Sequence, residues 1–212
     1  MEKSEIHITE NIELVNPVFI DLTSHTGSPV HIVGQTLLDK SRAEKVGELY
    51  SPYFPNYVVS GESGLYNLPK LELYASKSVL PNLLILLGEQ NIDPNDVYAH
   101  YDVAEAAFNF GVLKGCKTFV SCAVFMSQKS EDRVYVAATT SKEASALAEK
   151  LGDKPFPFGR IISQTGPLLG LAKVGGFRII SILGSVKGSQ DDEFLPDVLF
   201  DRLIKVLDLT LV

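Results

Sequence analysis

A chain of 212 residues, 45% of them apolar and 21% charged, has the composition of one globular domain whose core needs no disulfide or metal support. The formal net charge of −7 and the lack of any concentrated Lys/Arg stretch argue against a nucleic-acid or anionic-membrane partner. No apolar run approaches the roughly 18 residues of a membrane span, and the charged opening "MEKSEIHITE" has no apolar signal core, so a soluble cytoplasmic protein is expected.

Residues 1–16 read as an N-terminal extension and 17–212 as a single α/β domain. A first strand is expected in "PVFIDL" from Pro17. The junction after it carries Thr23, Ser24, Thr26, Gly27 and Ser28, which suit either an anion-holding nest or an ordinary loop ending in a helix cap. Asp21 and His25 are close enough in sequence to act as a carboxylate–imidazole pair. The alternative is an aspartate that caps a turn and a solvated histidine. Between Val46 and Lys77 short alternating segments are broken by Pro, Gly and Asn, the pattern of hairpins at a sheet edge or in a small subsheet. This stretch is dense in aromatics, and Tyr53, Phe54, Tyr57 and Tyr66 are candidates for a protein interface.

The next buried strand is "LLILLG" from Leu83, which delivers Glu89 and Gln90 to its carboxyl end, where open α/β sheets bind ligands. From Asn95 to Leu113 the apolar Val97, Tyr101, Ala104, Phe108 and Val112 recur at helical spacing, with Asp93-Pro94 before them and Gly115 as a stop. "TFVSCAVF" from Thr118 is a third strand. Cys122 lies inside it and Cys116 just before it, too far apart along a strand to pair, so both are expected reduced. "RVYVAAT" from Arg133 is a fourth strand. It is followed by a helix in "TSKEASALAEKLG", with Ser141 as the expected cap and Gly152 as the stop.

The segment "ISQTGPLLGLAKVGGFRIISILG" (162–184) has a glycine pattern that raises the question of a phosphate cradle. Its glycines are Gly166, Gly170, Gly175 and Gly176, which fit neither G-x-G-x-x-G nor a P-loop. Gly170 is expected to let a helix approach the sheet or another helix, and Gly175-Gly176 to stop that helix before the strand from Arg178. Gly166 stays a candidate crevice residue. A last helix is expected after Pro196, with Val198, Leu199, Leu203 and Val206 facing in. It leads to the apolar tail "LDLTLV", whose Leu209, Leu211 and Val212 either dock on a partner or pack on their own domain. His7, His25, His31 and His100 have no Cys or carboxylate partner at ligand spacing, and no metal or cofactor is expected.

Consecutive apolar runs separated by helices imply a mainly parallel sheet with helices on both faces, a three-layer α/β fold with a hairpin-rich edge. The order of the pieces resembles the proteasome assembly chaperone 2 family in its archaeal branch. The matching stretches are "ELYSPYFPNYVV" (48–59), "LELYAS" (71–76), "NLLILLGEQ" (82–90), "RVYVAATTSK" (133–142) and "SQTGPLLGLAKVGGFRIISILG" (163–184). The resemblance covers the chain from about Pro17 to Asp208. It implies a fold like that of purine nucleoside phosphorylases, self-association, and non-enzymatic, ATP-independent binding of proteasome α subunits. The chain departs from the family in two places. The glycine-rich "GFPGVGLVG" segment is replaced by "DLTSHTGSPVHIVG", and the chain ends Thr210-Leu211-Val212 without the penultimate tyrosine of a proteasome-docking tail. The phosphorylase-like fold keeps a nucleoside- or phosphate-handling enzyme as the alternative, with Asp21, Thr23, Ser24, His25, Gly27, Glu89, Gln90 and Gly166 as its candidate crevice.

Overall fold

The computed structural model describes residues 1–24, 28–60, 64–89, 92–126, 134–157, 159–161, 165–186 and 194–210. In chain order the elements are β1 (Glu5–Ile8), β2 (Val18–Thr23), α1 (Pro29–Ser41), β3 (Glu44–Tyr50), β4 (Val59–Ser60), β5 (Tyr66–Asn67), β6 (Leu71–Ser76) and β7 (Leu83–Gly88). They continue as α2 (Val97–Leu113), β8 (Thr118–Met126), β9 (Val134–Ala138), α3 (Ser141–Leu151), β10 (Lys154–Pro155), α4 (Thr165–Val174), β11 (Arg178–Val186) and α5 (Leu195–Leu207).

Among the described residues, nine strands form one mixed sheet in the order β1-β3-β6-β7-β2-β8-β11-β9-β10. Its centre, β7-β2-β8-β11, is parallel. β6, β3 and β1 continue it antiparallel on one side, and β9 runs antiparallel to β11 on the other. The central strands are the apolar runs expected from the sequence, and they are apolar because helices cover both faces. Val18, Ile20, Leu22, Ile85, Val120, Ile180 and Ile182 point to α1, α3 and α5. Phe19, Leu84, Leu86 and Phe119 point the other way, to α2 and α4. Phe119 is fully buried, its ring centroid 5.3 Å from Phe19, 5.4 Å from Phe108 and 5.6 Å from Phe177.

The hairpin region takes both forms left open by the sequence. β3 and β6 extend the main sheet, while β4 and β5 make a separate two-stranded ribbon. β1, from the N-terminal 16 residues, pairs with β3, and Ser4 N donates to the Asp102 carboxylate of α2 at 2.7 Å.

Three local expectations are corrected. The cap of α3 is Thr140, whose hydroxyl accepts from Glu143 N at 3.2 Å, because Thr140 is still extended while Ser141 has entered the helix. On α2 the buried stripe is Ala99, Val103, Ala104, Ala107 and Phe110, whereas Val97, Tyr101 and Val112 are exposed. The helix is apolar around most of its circumference, so period alone does not choose its inner face. Small residues win that face because the helix lies close to the sheet. A Cβ on Gly111 would be 2.9 Å from the Phe19 ring.

The third correction concerns Gly170. It is exposed, and a Cβ there would meet nothing within 4 Å, so it permits no close approach. The tight glycine of α4 is Gly166, where a Cβ would stand 2.3 Å from the Ile161 carbonyl oxygen. Gly176 does end the helix, at φ 79°.

Two glycine variants separate these roles. Gly170→Ala should raise stability by about 0.5–1 kcal/mol, the gain of helix propensity in open space. Gly111→Ala should lower it despite the same gain, because the Phe19 and Phe119 rings must move. Phe119→Ala should cost about 3–5 kcal/mol. Urea unfolding at matched m-values measures all three.

Candidate functional site

β7 ends at Gly88 with φ 143°, where a Cβ would be 3.2 Å from Leu71 Cα and 3.3 Å from the Lys70 carbonyl oxygen. That close passage lets β6 enter the sheet directly beside the carboxyl end of β7. Beyond it opens a cavity of about 380 Å³, lined by Phe54, Tyr57, Leu68, Lys70, Glu72 and Glu89 among others. Thus Glu89, expected at a strand-end crevice, and Phe54 and Tyr57, expected at an interface, line one and the same pocket. Lys70 and Glu72 were missed. The alternation of "KLELYA" signals them, because period two puts Lys70, Glu72 and Tyr74 on the face opposite Leu71 and Leu73.

Charges on that face are locked together. Glu48 and Glu72 stand directly opposite each other on β3 and β6, which is repulsive unless cations bridge them. Lys45 Nζ donates to both at 2.6 Å, and Lys70 Nζ donates to Glu48 and lies 3.8 Å from Glu72. The Tyr50 hydroxyl donates to Glu48 at 2.6 Å and the Tyr74 hydroxyl to Glu72 at 2.7 Å. Burial works to raise the Glu48 carboxyl, but hydrogen bonds from Lys45, Lys70 and Tyr50 outweigh it and bring it down to about 2. Glu72 is lowered in the same way against its burial. Burial and the bond to Glu48 push the Tyr50 phenol up to about 12, and Tyr74 matches it beside Glu72. These shifts hold each group in its resting charge state, whereas general acid–base work needs a pKa moved toward the working pH.

Asp21 is not in this crevice. It is 1% exposed, and its oxygens accept from Thr23 N at 3.0 Å, the Thr23 hydroxyl at 2.5 Å and the Thr165 hydroxyl at 2.7 Å. Burial raises its carboxyl above the usual range, and the threonine hydrogen bonds offset only part of that. Asp21 therefore ties the end of β2 to the start of α4. Thr165 is a third residue missed in the sequence, and no local pattern marks it, since it is 144 positions from Asp21.

Ser24 continues the β2–β7 pairing through its N–H to the Gly88 carbonyl at 3.0 Å, and its hydroxyl is 2.7 Å from that of Ser28. Ser28 caps α1 by accepting from His31 N at 3.2 Å, with Pro29 in the first turn. Gly166 lies at α4, away from the crevice. His25, Gly27, Gln90, Leu211 and Val212 lie outside the described residues.

The β4–β5 ribbon beside the crevice is an exposed apolar surface. Tyr57, Val58, Val59, Leu65, Tyr66 and Leu68 all face solvent, Leu65 at 65% and Tyr66 at 73%. A lone two-stranded ribbon is marginal in water, and contiguous exposed apolar side chains of this kind mark contact surfaces. Tyr53 packs inward, edge-on to Tyr98 with centroids 5.8 Å apart. In the tail, Leu209 is buried in the core against α5. Among the described residues no cluster of His, Cys, Asp or Glu could hold a metal, and no helix is long and apolar enough to cross a membrane. Both cysteines are free and buried, and burial pushes each thiol up to about 12.

Comparison with known proteins places these features in a lineage. The model of the PAC2 family matches residues 25–212. An uncharacterised protein of Methanocaldococcus jannaschii is 26% identical over 199 residues, spanning 91% of this chain and 74% of the relative. Among solved structures, Pyrococcus furiosus PbaB, an archaeal proteasome activator, superposes with a TM-score of 0.88 at 26% identity, over 100% of this chain and 92% of that one. Pyrococcus furiosus PbaA, an archaeal homolog of proteasome-assembly chaperone, shares the fold with a TM-score of 0.77 at 22% identity, over 98% and 84%.

Half-buried Glu48 and fully buried Asp21 make opposite pH predictions. Glu48 is depressed from 4.5 to about 2, so its stabilisation is complete above pH 4.5 and is lost as pH falls toward 2. Glu48→Gln should be less stable at neutral pH by on the order of 2 kcal/mol, with the gap to wild type closing across that window. Asp21 is raised from 3.8, so wild-type stability falls as pH rises from there toward the folded-state value. The stability of Asp21→Asn relative to wild type should therefore climb with pH. Thermal unfolding from acid to neutral pH reads both.

Proposed function

The chain belongs to the PAC2 family, and on that premise we propose that it is a protein-binding module of proteasome assembly or activation. In this reading it engages proteasome α subunits and does so without nucleotide. The supporting observation is the likeness to PbaB, an archaeal proteasome activator, over the whole of this chain. The surface chemistry fits the same role. The apolar β4–β5 ribbon and the crevice it borders present tyrosines and aliphatic side chains around a rigid charged floor, the composition of a binding hot spot with a polar rim. The protein acts in the cytoplasm, and self-association is part of the proposal. The exposed Val97, Tyr98 and Tyr101 of α2, with Val174 of α4, supply the apolar area for it.

The alternative of a nucleoside- or phosphate-handling enzyme draws on the same crevice. It needs a proton-transfer group there, yet Asp21 lies buried against Thr165, and Glu48 and Glu72 are held ionised by lysines.

Native electrophoresis with matched proteasome α subunits tests the proposal directly. Wild type should bind at micromolar concentration, and light scattering should show more than one copy per particle. Leu65→Asp with Tyr66→Asp should weaken α-subunit binding more than about tenfold while leaving the unfolding midpoint in place, because both side chains are outside the core. Absence of wild-type binding removes the proteasome reading. Undiminished binding by the variant moves the contact off the ribbon.

A further inference from the structure

A line of polar side chains crosses the otherwise apolar centre of the sheet and is unrelated to the strand-end crevice. Asp21 on β2 is in register with Ser121 on β8, and Ser121 with Ser181 on β11. All three are buried, at 1%, 0% and 3% exposure. Polar groups so deep are retained only when hydrogen bonds satisfy them. Asp21 is closed off by Thr23 and Thr165 at one end. At the other end Ser121 Oγ donates to Ser181 Oγ at 3.0 Å. Ser181 thus has its acceptor side occupied, and its own hydroxyl proton has no acceptor among the described residues.

Ser181 forms part of the wall of a second cavity, of about 300 Å³, between α4 and the β9–β10 edge. Phe156, Ile161 and Leu169 supply apolar walls, and Lys173 contributes a cation that makes no ion pair among the described residues. Gly170 leaves the α4 side as bare backbone, since nothing stands within 4 Å of where its Cβ would be. The cavity therefore combines one cation, one inward O–H donor and an apolar lining. It is at the small end of ligand pockets, which run from about 300 to 1,000 Å³.

The geometry points to a binding site for a small carboxylate with an apolar body, such as an aryl- or branched-alkyl-substituted acid. The carboxylate accepts the Ser181 proton and neutralises Lys173, and the body lies against Phe156 and Leu169. Charge-assisted hydrogen bonds of this type favour the acid over its neutral amide. The site is independent of the proteasome reading, because none of its residues belongs to the ribbon or the strand-end crevice.

The test is a titration of the full chain with 3-phenylpropionate and 4-methylpentanoate, and with 3-phenylpropionamide as the neutral control, followed by amide NMR shifts. At least one acid should give saturable shifts concentrated at Gly166, Gly170, Lys173 and Ser181. The amide should bind about tenfold more weakly than its acid. Lys173→Gln should remove most of that preference without changing the unfolding midpoint, because the side chain is exposed. Ser181→Ala should weaken the acid by about threefold and the amide by less, since the lost hydrogen bond is charge-assisted only with the acid. Glu89→Gln should change neither. The inference is overturned by a lack of saturable shifts with both acids at about 10 mM, by shifts centred elsewhere, or by equal affinity for acid and amide.

Discussion

Covering both faces of the parallel centre is the constraint from which the rest of this structure follows. The middle stretches of four adjacent strands, β7, β2, β8 and β11, are buried, so their side chains must be mainly apolar on both faces. α1, α3 and α5 close one side and α2 and α4 the other. Such a core holds its shape but offers little chemistry. Among the exceptions, Asp21, Ser121 and Ser181 are tolerated because each has a hydrogen-bond partner. Polar side chains that reach water are thereby displaced to the margins, where the sheet is antiparallel.

At the β3–β6 margin that displacement produces a rigid polar floor. Two glutamates face each other across the strands, and two lysines between them turn repulsion into a network that also holds two tyrosine hydroxyls. The floor supports the crevice, and the apolar β4–β5 ribbon rises beside it. Groups pinned in their ordinary charge states present a fixed electrostatic pattern, which suits recognition better than proton transfer. At the opposite margin, past α4, the cavity around Ser181 and Lys173 differs in kind. It is mostly apolar with one cation.

Helices were legible where their ends carry chemistry. Gly152 and Gly176 stop α3 and α4 as read, both in the left-handed region. Helix faces were less legible. α2 is apolar nearly all round, and its inner stripe was settled by the space left above Phe19 and Phe119, which admits alanine and glycine and turns Val97 and Tyr101 outward. The candidate site was legible in part. Glu89 follows from the rule that strand ends bind, and Phe54 and Tyr57 from aromatic density. That they share one pocket depends on β6 returning beside β7, which no local pattern encodes.

The sequence by itself determined the class of fold and its family, because buried strands need unbroken apolar runs and helix ends need particular residues, and both are local requirements. It also determined that the hairpin region would be rich in contact-prone aromatics. Only the tertiary structure decided which of the polar residues meet. Asp21 and Thr165, or Ser121 and Ser181, are brought together by strand order and register. Those are set by the packing of the whole sheet, so a carboxylate that looked free to do chemistry became a buried tie between two elements.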